Sequence, residues 1–237
     1  MNMEYKYFYL VLMLLSVSYP LWRSFESKIR FYTKWGELFR SIFCMMLFFI
    51  PWDIHFTYHN IWHFNDKMTL GVDFLLLPLE EWLFFIIIPF CCVFIHEVLC
   101  YFFPLQKVLI PNKLLFFLSI ILLIIALFYN DRLYTLVCFL FTSLVGFYIS
   151  KLDTVRQTSI VRTYLVSLFP FLIINGLLTG SFVLDPIVFY NHNEILGFRI
   201  LNIPIEDFFY NFSMIAVVLF FYQLFLDKNQ NDFLKPK

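Results

Sequence analysis

Apolar residues gather into seven runs separated by short polar stretches, at roughly 5–22, 39–58, 78–100, 113–130, 133–150, 163–180 and 204–226. Each approaches the roughly 20 residues that carry a helix across a bilayer, so the pattern predicts seven transmembrane helices. The first run lacks the charged flank and small-residue cleavage site of a secretory signal, and is expected to stay as a helix. Seven spans put Arg23, Lys28, Arg30, Lys34, Arg40, Lys107, Lys113, Lys151, Arg156, Arg162, Lys228, Lys235 and Lys237 on one side. Only Lys6, Lys67, Arg132 and Arg199 fall on the other. Basic residues accumulate on the cytoplasmic side. The 13-to-4 split therefore predicts an external N-terminus and a cytoplasmic C-terminus, in an integral protein of the cytoplasmic membrane.

Composition agrees with a polytopic chain. Of 237 residues, 61% are hydrophobic and 14% are charged, against about 45–50% and 25% in soluble domains. The 17 basic residues balance 17 acidic ones, which excludes a nucleic-acid binder. Cys44, Cys91, Cys92, Cys100 and Cys138 lie in or beside apolar runs without CxxC spacing, and read as structural thiols. The six glycines form neither a dinucleotide nor a Walker pattern.

The chain repeats itself. Phe64-Asn65-Asp66-Lys67-Met68-Thr69-Leu70-Gly71 aligns with Tyr190-Asn191-His192-Asn193-Glu194-Ile195-Leu196-Gly197, an offset of 126 without a gap. Seven residues after each glycine comes Pro78-Leu79-Glu80-Glu81-Trp82 or Pro204-Ile205-Glu206-Asp207-Phe208. The expected architecture is all-α, with two parallel three-helix repeats (1–103 and 131–237) joined by a linker helix (104–130). Three spans plus one linker span is an even number, so both repeats point the same way and both acidic pairs meet the same membrane face.

Each acidic pair opens a helix. Proline suits the first turn, whose N–H groups are unpaired, and the carboxylates meet the positive end of the helix dipole. Capping alone would explain one such pair, but two at equivalent positions beside hydrocarbon point to function. Asp53 and Asn175 lie at the same depth, and Phe84, Phe85, Tyr210 and Asn211 follow one turn below the acids. Several close carboxylates in apolar surroundings cannot all carry charge. A protonated acid beside a carboxylate makes an acid–base pair, and aromatic faces stabilise a cation. The set suits proton-initiated alkene chemistry.

These residues resemble the lycopene cyclase domain of bacteria, archaea and fungi. The resemblance runs through Trp52-Asp53, Trp62-x-Phe64-Asn65, Pro78-Leu79-Glu80-Glu81 with Phe84-Phe85, Asn175-Gly176-Leu177-Leu178-Thr179-Gly180 and Pro204-Ile205-Glu206-Asp207-Phe208-Phe209, covering about residues 5 to 226. It implies a lycopene β-cyclase with two units fused in one chain, a non-redox isomerase (intramolecular lyase) that forms β-rings from ψ end groups without flavin or other cofactor and without metal. It further implies that Glu80, Glu81, Glu206 and Asp207 carry the proton, assisted by Asp53. Trp52, Trp82, Phe84, Phe85, Asn175, Phe208, Tyr210 and Asn211 would bind substrate. The implied partners are lycopene and the lipid bilayer, with room for association with other carotenoid enzymes.

The halves are not chemically equal. Thr179 stands at the position equivalent to Asp53, and Gln223 at that of Glu97. Glu97 and His96 are expected far from the acidic cluster. His55, His59 and His63 would share a helix face if the helix ran on, which invites a di-iron oxygenase. The second repeat offers Ser181, Asp185 and Phe189 there instead. A membrane transporter and a related end-group enzyme, such as a hydratase, are the other readings.

Overall fold

A computed structural model describes residues 5–104, 112–183 and 185–233. Among them the chain forms seven α-helices: α1 (Phe8–Arg23), α2 (Trp35–Tyr58), α3 (Leu79–Phe102), α4 (Asn112–Phe128), α5 (Leu133–Ile149), α6 (Thr154–Leu178) and α7 (Ile205–Phe233). Six very short strands lie at the acid-bearing end: β1 (Trp62–Phe64), β2 (Asp73–Phe74), β3 (Leu77–Pro78), β4 (Val188–Tyr190), β5 (Arg199–Ile200) and β6 (Ile203–Pro204). Four helical segments, Phe31–Tyr58, Leu79–Phe102, Thr154–Leu178 and Ile205–Lys228, are long and apolar enough to cross a membrane, and three shorter apolar helices accompany them. The protein is an all-α membrane protein. Lys107, Lys235 and Lys237, used in the charge split, lie outside the described residues.

Two helices start earlier than their apolar runs. Helix α6 opens at Thr154 because Asp153 caps it, accepting the Arg156 N–H at 3.0 Å. Its polar first turns are then put to use. Gln157 donates to the carbonyls of Ser150 (3.1 Å) and Leu152 (2.7 Å), sealing the end of α5. Helix α2 opens at Trp35, behind a 3-10 turn over Phe31–Lys34. Pro78 is the N-cap of α3 rather than a first-turn residue, with φ −62° and ψ 150°.

The repeats are related by a two-fold axis that can be located. Strands β1 and β4 pair antiparallel, Trp62 with Tyr190, His63 with Phe189 and Phe64 with Val188. At an offset of 126, His63 and Phe189 are each other's equivalents, so the pairing is symmetric about them. Their rings stack at 4.9 Å. The flanking bonds obey the same symmetry: Asn65 N–H donates to Ile187 O and Asn191 N–H to Ile61 O, both at 2.8 Å. His63 thus belongs to a strand, and α2 ends at Tyr58, before it could join His55 and His59 on one helix face.

Helix packing follows the axis. Helix α1 lies against α3 as α5 lies against α7, and α2 lies against α7 as α6 lies against α3. Helix α4 packs on α5 through small residues, Ser143 Oγ donating to Ser119 O at 2.8 Å. At the end away from the acids, Glu97 accepts from Tyr222 at 2.8 Å and from Lys34, tying α3, α7 and the 3-10 turn together. His96 meets Thr163 of α6 at 3.0 Å.

Gly180 turns the chain out of α6 at φ +82°, and a Cβ there would lie 3.1–3.3 Å from Pro186. A left-handed L-residue costs about 1–2 kcal/mol. Gly180→Ala should therefore lower the thermal midpoint of the detergent-solubilised protein by a few degrees, whereas Gly36→Ala, inside α2 with a Cβ that meets nothing within 4 Å, should leave it unchanged or raise it slightly. Differential scanning fluorimetry checks both.

Candidate active site

Each acidic pair divides its labour by position. Glu80 and Glu206, the first of each pair, turn to the chain that precedes their helix. Glu80 Oε1 accepts the Leu70 N–H at 2.7 Å, and Glu206 Oε1 accepts the equivalent Leu196 N–H at 2.6 Å. Thr135 adds a second donor to Glu206 at 2.6 Å. Both glutamates are buried, and they fasten the two Leu-Gly turns. Neither lines the cavity described next.

Glu81 and Asp207, the second of each pair, face that cavity together with Asp53. It encloses about 100 Å³, below the roughly 300–1,000 Å³ of small-molecule pockets, and reaches about 880 Å³ only with its open mouth counted. Trp62, Phe64, Phe84, Tyr134, Tyr190 and Tyr210 surround the acids. The space continues down α3 past Ile88, Cys91 and Ile95, with Pro170 and Ile174 of α6 opposite. From Glu81 to Ile95 along α3 is about 21 Å at 1.5 Å per residue. The acids are buried, while Ile88, Cys91, Ile95, Pro170 and Ile174 are half-exposed, so the groove opens sideways between α3 and α6.

The three carboxylates are unequally served. Asp207 accepts three hydrogen bonds, from Tyr134 (2.6 Å) and, on its other oxygen, from Asn175 (2.7 Å) and Tyr190 (2.9 Å). Glu81 accepts one, from Tyr9 at 2.6 Å. Neither Asp53 oxygen has a full hydrogen bond among the described residues, although the side chain is 1% exposed. The Trp62 indole N–H, which bonds Thr57 at 3.2 Å, is the donor beside it. Asp53 lies close enough to Glu81 for their charges to interact. Tyr190, in the strand above the helices, is desolvated beside Asp207, which pushes its phenol up and keeps it a donor. Deeper in the cavity, Ser167 Oγ and Asn211 Nδ2 are also buried without partners among the described residues.

The structure gathers Asp53, Glu81, Asp207, Phe84, Asn175, Tyr210 and Asn211 around one space. It puts the other expected residues elsewhere. Trp82 donates its indole N–H to Phe74 O at 3.0 Å, closing the β2–β3 turn. Phe85 is buried in the main core, and Phe208 packs on Phe171 at 5.0 Å. Trp52 stacks among Phe49, Tyr210 and Phe141 between α2 and α7. Trp82 faces away because neighbouring residues on a helix point about 100° apart. Phe85, one turn below Glu81 and near its angle, is taken up by packing in the main core.

Sequence reasoning missed Tyr9 and Tyr134, the donors to Glu81 and Asp207. Tyr134 follows Tyr9 by 125 residues, not 126. That one-residue slip between α1 and α5 hides them from a gapless alignment. Phe64 and Tyr190, the aromatic residues that open the repeated segments, both line the cavity.

Removing the oxygen that holds a turn is a different change from removing a charge. Glu80→Gln and Glu206→Gln retain an acceptor for Leu70 and Leu196 and should fold with near-native stability. Glu80→Ala and Glu206→Ala leave a buried N–H unpaired, at a cost of about 1–3 kcal/mol. Thermal unfolding of the four variants in detergent should separate the Gln pair from the Ala pair.

A family model described as lycopene cyclase matches residues 6–99 and 131–225, one segment in each repeat. No curated protein and no solved structure matches the chain.

Proposed function

The chain belongs to the lycopene cyclase family, and from that premise we propose that it is a lycopene β-cyclase, converting ψ end groups to β-rings through a monocyclic product to β-carotene. The unequal hydrogen bonding of three carboxylates in one aromatic cavity supports the reading. In the same reading, residues 1–103 and 131–237 are the two cyclase units and 104–130 links them.

The carboxylates take separate roles. Three donors on Asp207 suit an anion, which only accepts. Asp53, buried with only the Trp62 indole N–H beside it and no full hydrogen bond, suits the neutral acid, since a poorly paired buried charge is costly. Glu81, with one donor and Asp53 beside it, shares that proton. The Asp53–Glu81 pair protonates C2 of the end group, leaving a cation at C1. The C5=C6 alkene attacks it, the C1–C6 bond closes and the charge moves to C5. Asp207 takes the proton from C6, and the C5=C6 double bond re-forms. One proton enters and one leaves, so the step is an isomerisation with no change in oxidation state. The faces of Trp62, Tyr134, Tyr190 and Tyr210 are disposed around the path of the cation. The apolar groove below receives the polyene, and the surrounding bilayer delivers it.

One observation favours a second outcome for the same cation. Ser167 and Asn211 carry unpartnered polar atoms in the cavity, and could seat a water that traps it as a tertiary alcohol.

In lycopene-producing bacterial cells, Asp207→Asn, Glu81→Gln and Asp53→Asn should each lower ring formation by about 10²–10⁴-fold with membrane insertion intact, while Glu80→Gln retains activity. In deuterated water each ring should keep one deuteron at C2, read by mass spectrometry of the pigment. Full activity of the three cavity variants rejects the mechanism, and a product heavier by one water identifies a hydratase.

The charge split puts the acids at the outer face of the cytoplasmic membrane. A cysteine at Asp66, exposed in the loop after β1, should react with an impermeant maleimide in intact cells. Cys100, exposed at the other end of α3, should react only after lysis. The reverse pattern inverts the topology.

A further inference from the structure

The two-fold axis relates two interhelical grooves, α3 with α6 and α7 with α2. They are equivalent in backbone and opposite in content. The α3–α6 groove is the open cavity. In the α2–α7 groove, Phe49 and Trp52 of α2 meet Tyr210 of α7, each at 5.0 Å between ring centres. Phe141 of α5 closes the cluster, 5.5 Å from Phe49 and 5.8 Å from Trp52. Phe49 is fully buried. At the offset of 126, Asn175 and Leu178 take the places of Phe49 and Trp52, and Phe84 that of Tyr210. On the opposite side of the axis from Phe141, α1 presents Ser16 under the 125-residue offset of the tyrosines. At three of the four positions, Asn175, Leu178 and Ser16, smaller or polar side chains therefore stand in one groove where aromatic rings fill the other, while Phe84 keeps a ring at the fourth.

We infer that the chain has a single substrate cleft, the α3–α6 groove, and that Phe49, Trp52, Tyr210 and Phe141 plug its symmetry mate. The inference rests on the cyclase reading and specifies how a substrate with two reactive ends is handled. Both repeats contribute acids, but Asp53, Glu81 and Asp207 all converge on the one open space. Asp53 has no counterpart, because Thr179 stands at its equivalent position and donates to Asn175 O at 2.8 Å. An end group enters sideways between α3 and α6 with its polyene along Ile88, Cys91 and Ile95. Only one end can reach the acids at a time. The monocyclic product must withdraw and turn round before its second end reacts, so the enzyme is distributive.

Two measurements test this. The first follows products over time in vesicles containing the purified protein and isotopically labelled lycopene, chased with unlabelled lycopene. Monocyclic product should appear first and be diluted by the chase, with bicyclic product lagging or absent. Bicyclic product that forms without a lag and resists the chase overturns the single cleft. The second compares a pair of equivalent substitutions. Ile174→Trp narrows the α3–α6 mouth, and Phe48→Trp changes the equivalent position, which faces outward at 51% exposure. Ile174→Trp should cut conversion at least tenfold, Phe48→Trp less than twofold. Equal effects overturn the inference. Where Ile174→Trp fails to insert, Cys91→Phe takes its place.

Failure of the cyclase reading is separately visible. If the unaltered protein forms no ring, the pair is compared by the lycopene that stays bound through detergent purification. Retention by the unaltered protein and Phe48→Trp, with loss in the cleft-filled variant, supports the cleft without the chemistry. Equal retention by all three overturns it.

Discussion

A carboxylate inside an apolar helical bundle must find hydrogen-bond donors, and meeting that demand organises this molecule. The donors come from outside the acid's own helix. Backbone N–H groups of the Leu-Gly turns serve Glu80 and Glu206, and tyrosines of α1 and α5 serve Glu81 and Asp207. Each acidic pair therefore gathers three pieces of chain: the turn before its helix, the helix itself and the first helix of its repeat. The first acid of each pair makes the structure that lets the second reach a cavity. The helix dipole adds a favourable field at both, but it cannot replace a donor in a space that excludes water.

The two-fold axis then joins the halves. Because β1 and β4 pair about His63 and Phe189, Phe64 and Tyr190 are brought over the acids from opposite sides. Tyr190 is a donor to the Asp207 of its own repeat, while Phe64 at the equivalent place donates nothing. Symmetry of the backbone thus supplies two acids in one place. Departures from symmetry in the side chains give those acids different neighbours. A general acid and a general base need that difference, since identical surroundings would give both the same affinity for a proton.

Much of this was legible in the chain because it depends on spacing. The seven apolar runs, the repeat and the acidic pairs are periodic signals, and the described residues form seven α-helices with the pairs at the starts of α3 and α7. Which acid of each pair faces the cavity was not legible. Neighbouring residues on a helix point about 100° apart, and the direction of the cavity is set by tertiary packing. Tyr9 and Tyr134 were hidden by a slip of one residue. The early start of α6 was hidden because Asp153 and Gln157 read as loop residues until their partners are seen. Phe49 looked like any other aromatic residue in an apolar run, and Trp52 read as a substrate-binding residue. Their role as filling depends on Phe141, in a helix remote in sequence.

The filled groove also explains why a duplicated scaffold need not have two sites. Duplication creates equivalent grooves at no cost in new backbone geometry, and an empty groove between helices forfeits the dispersion contacts of its lining. Filling one with Phe49, Trp52, Tyr210 and Phe141 recovers those contacts where α2 meets α7, the packing that carries the first repeat onto the second. Leaving the other open gives up contact between α3 and α6, at the place where, in the single-cleft proposal, a hydrophobic substrate would supply it when bound. The stable groove holds the halves in register, and the open one depends on that rigidity to keep Asp53, Glu81 and Asp207 aimed at the same point.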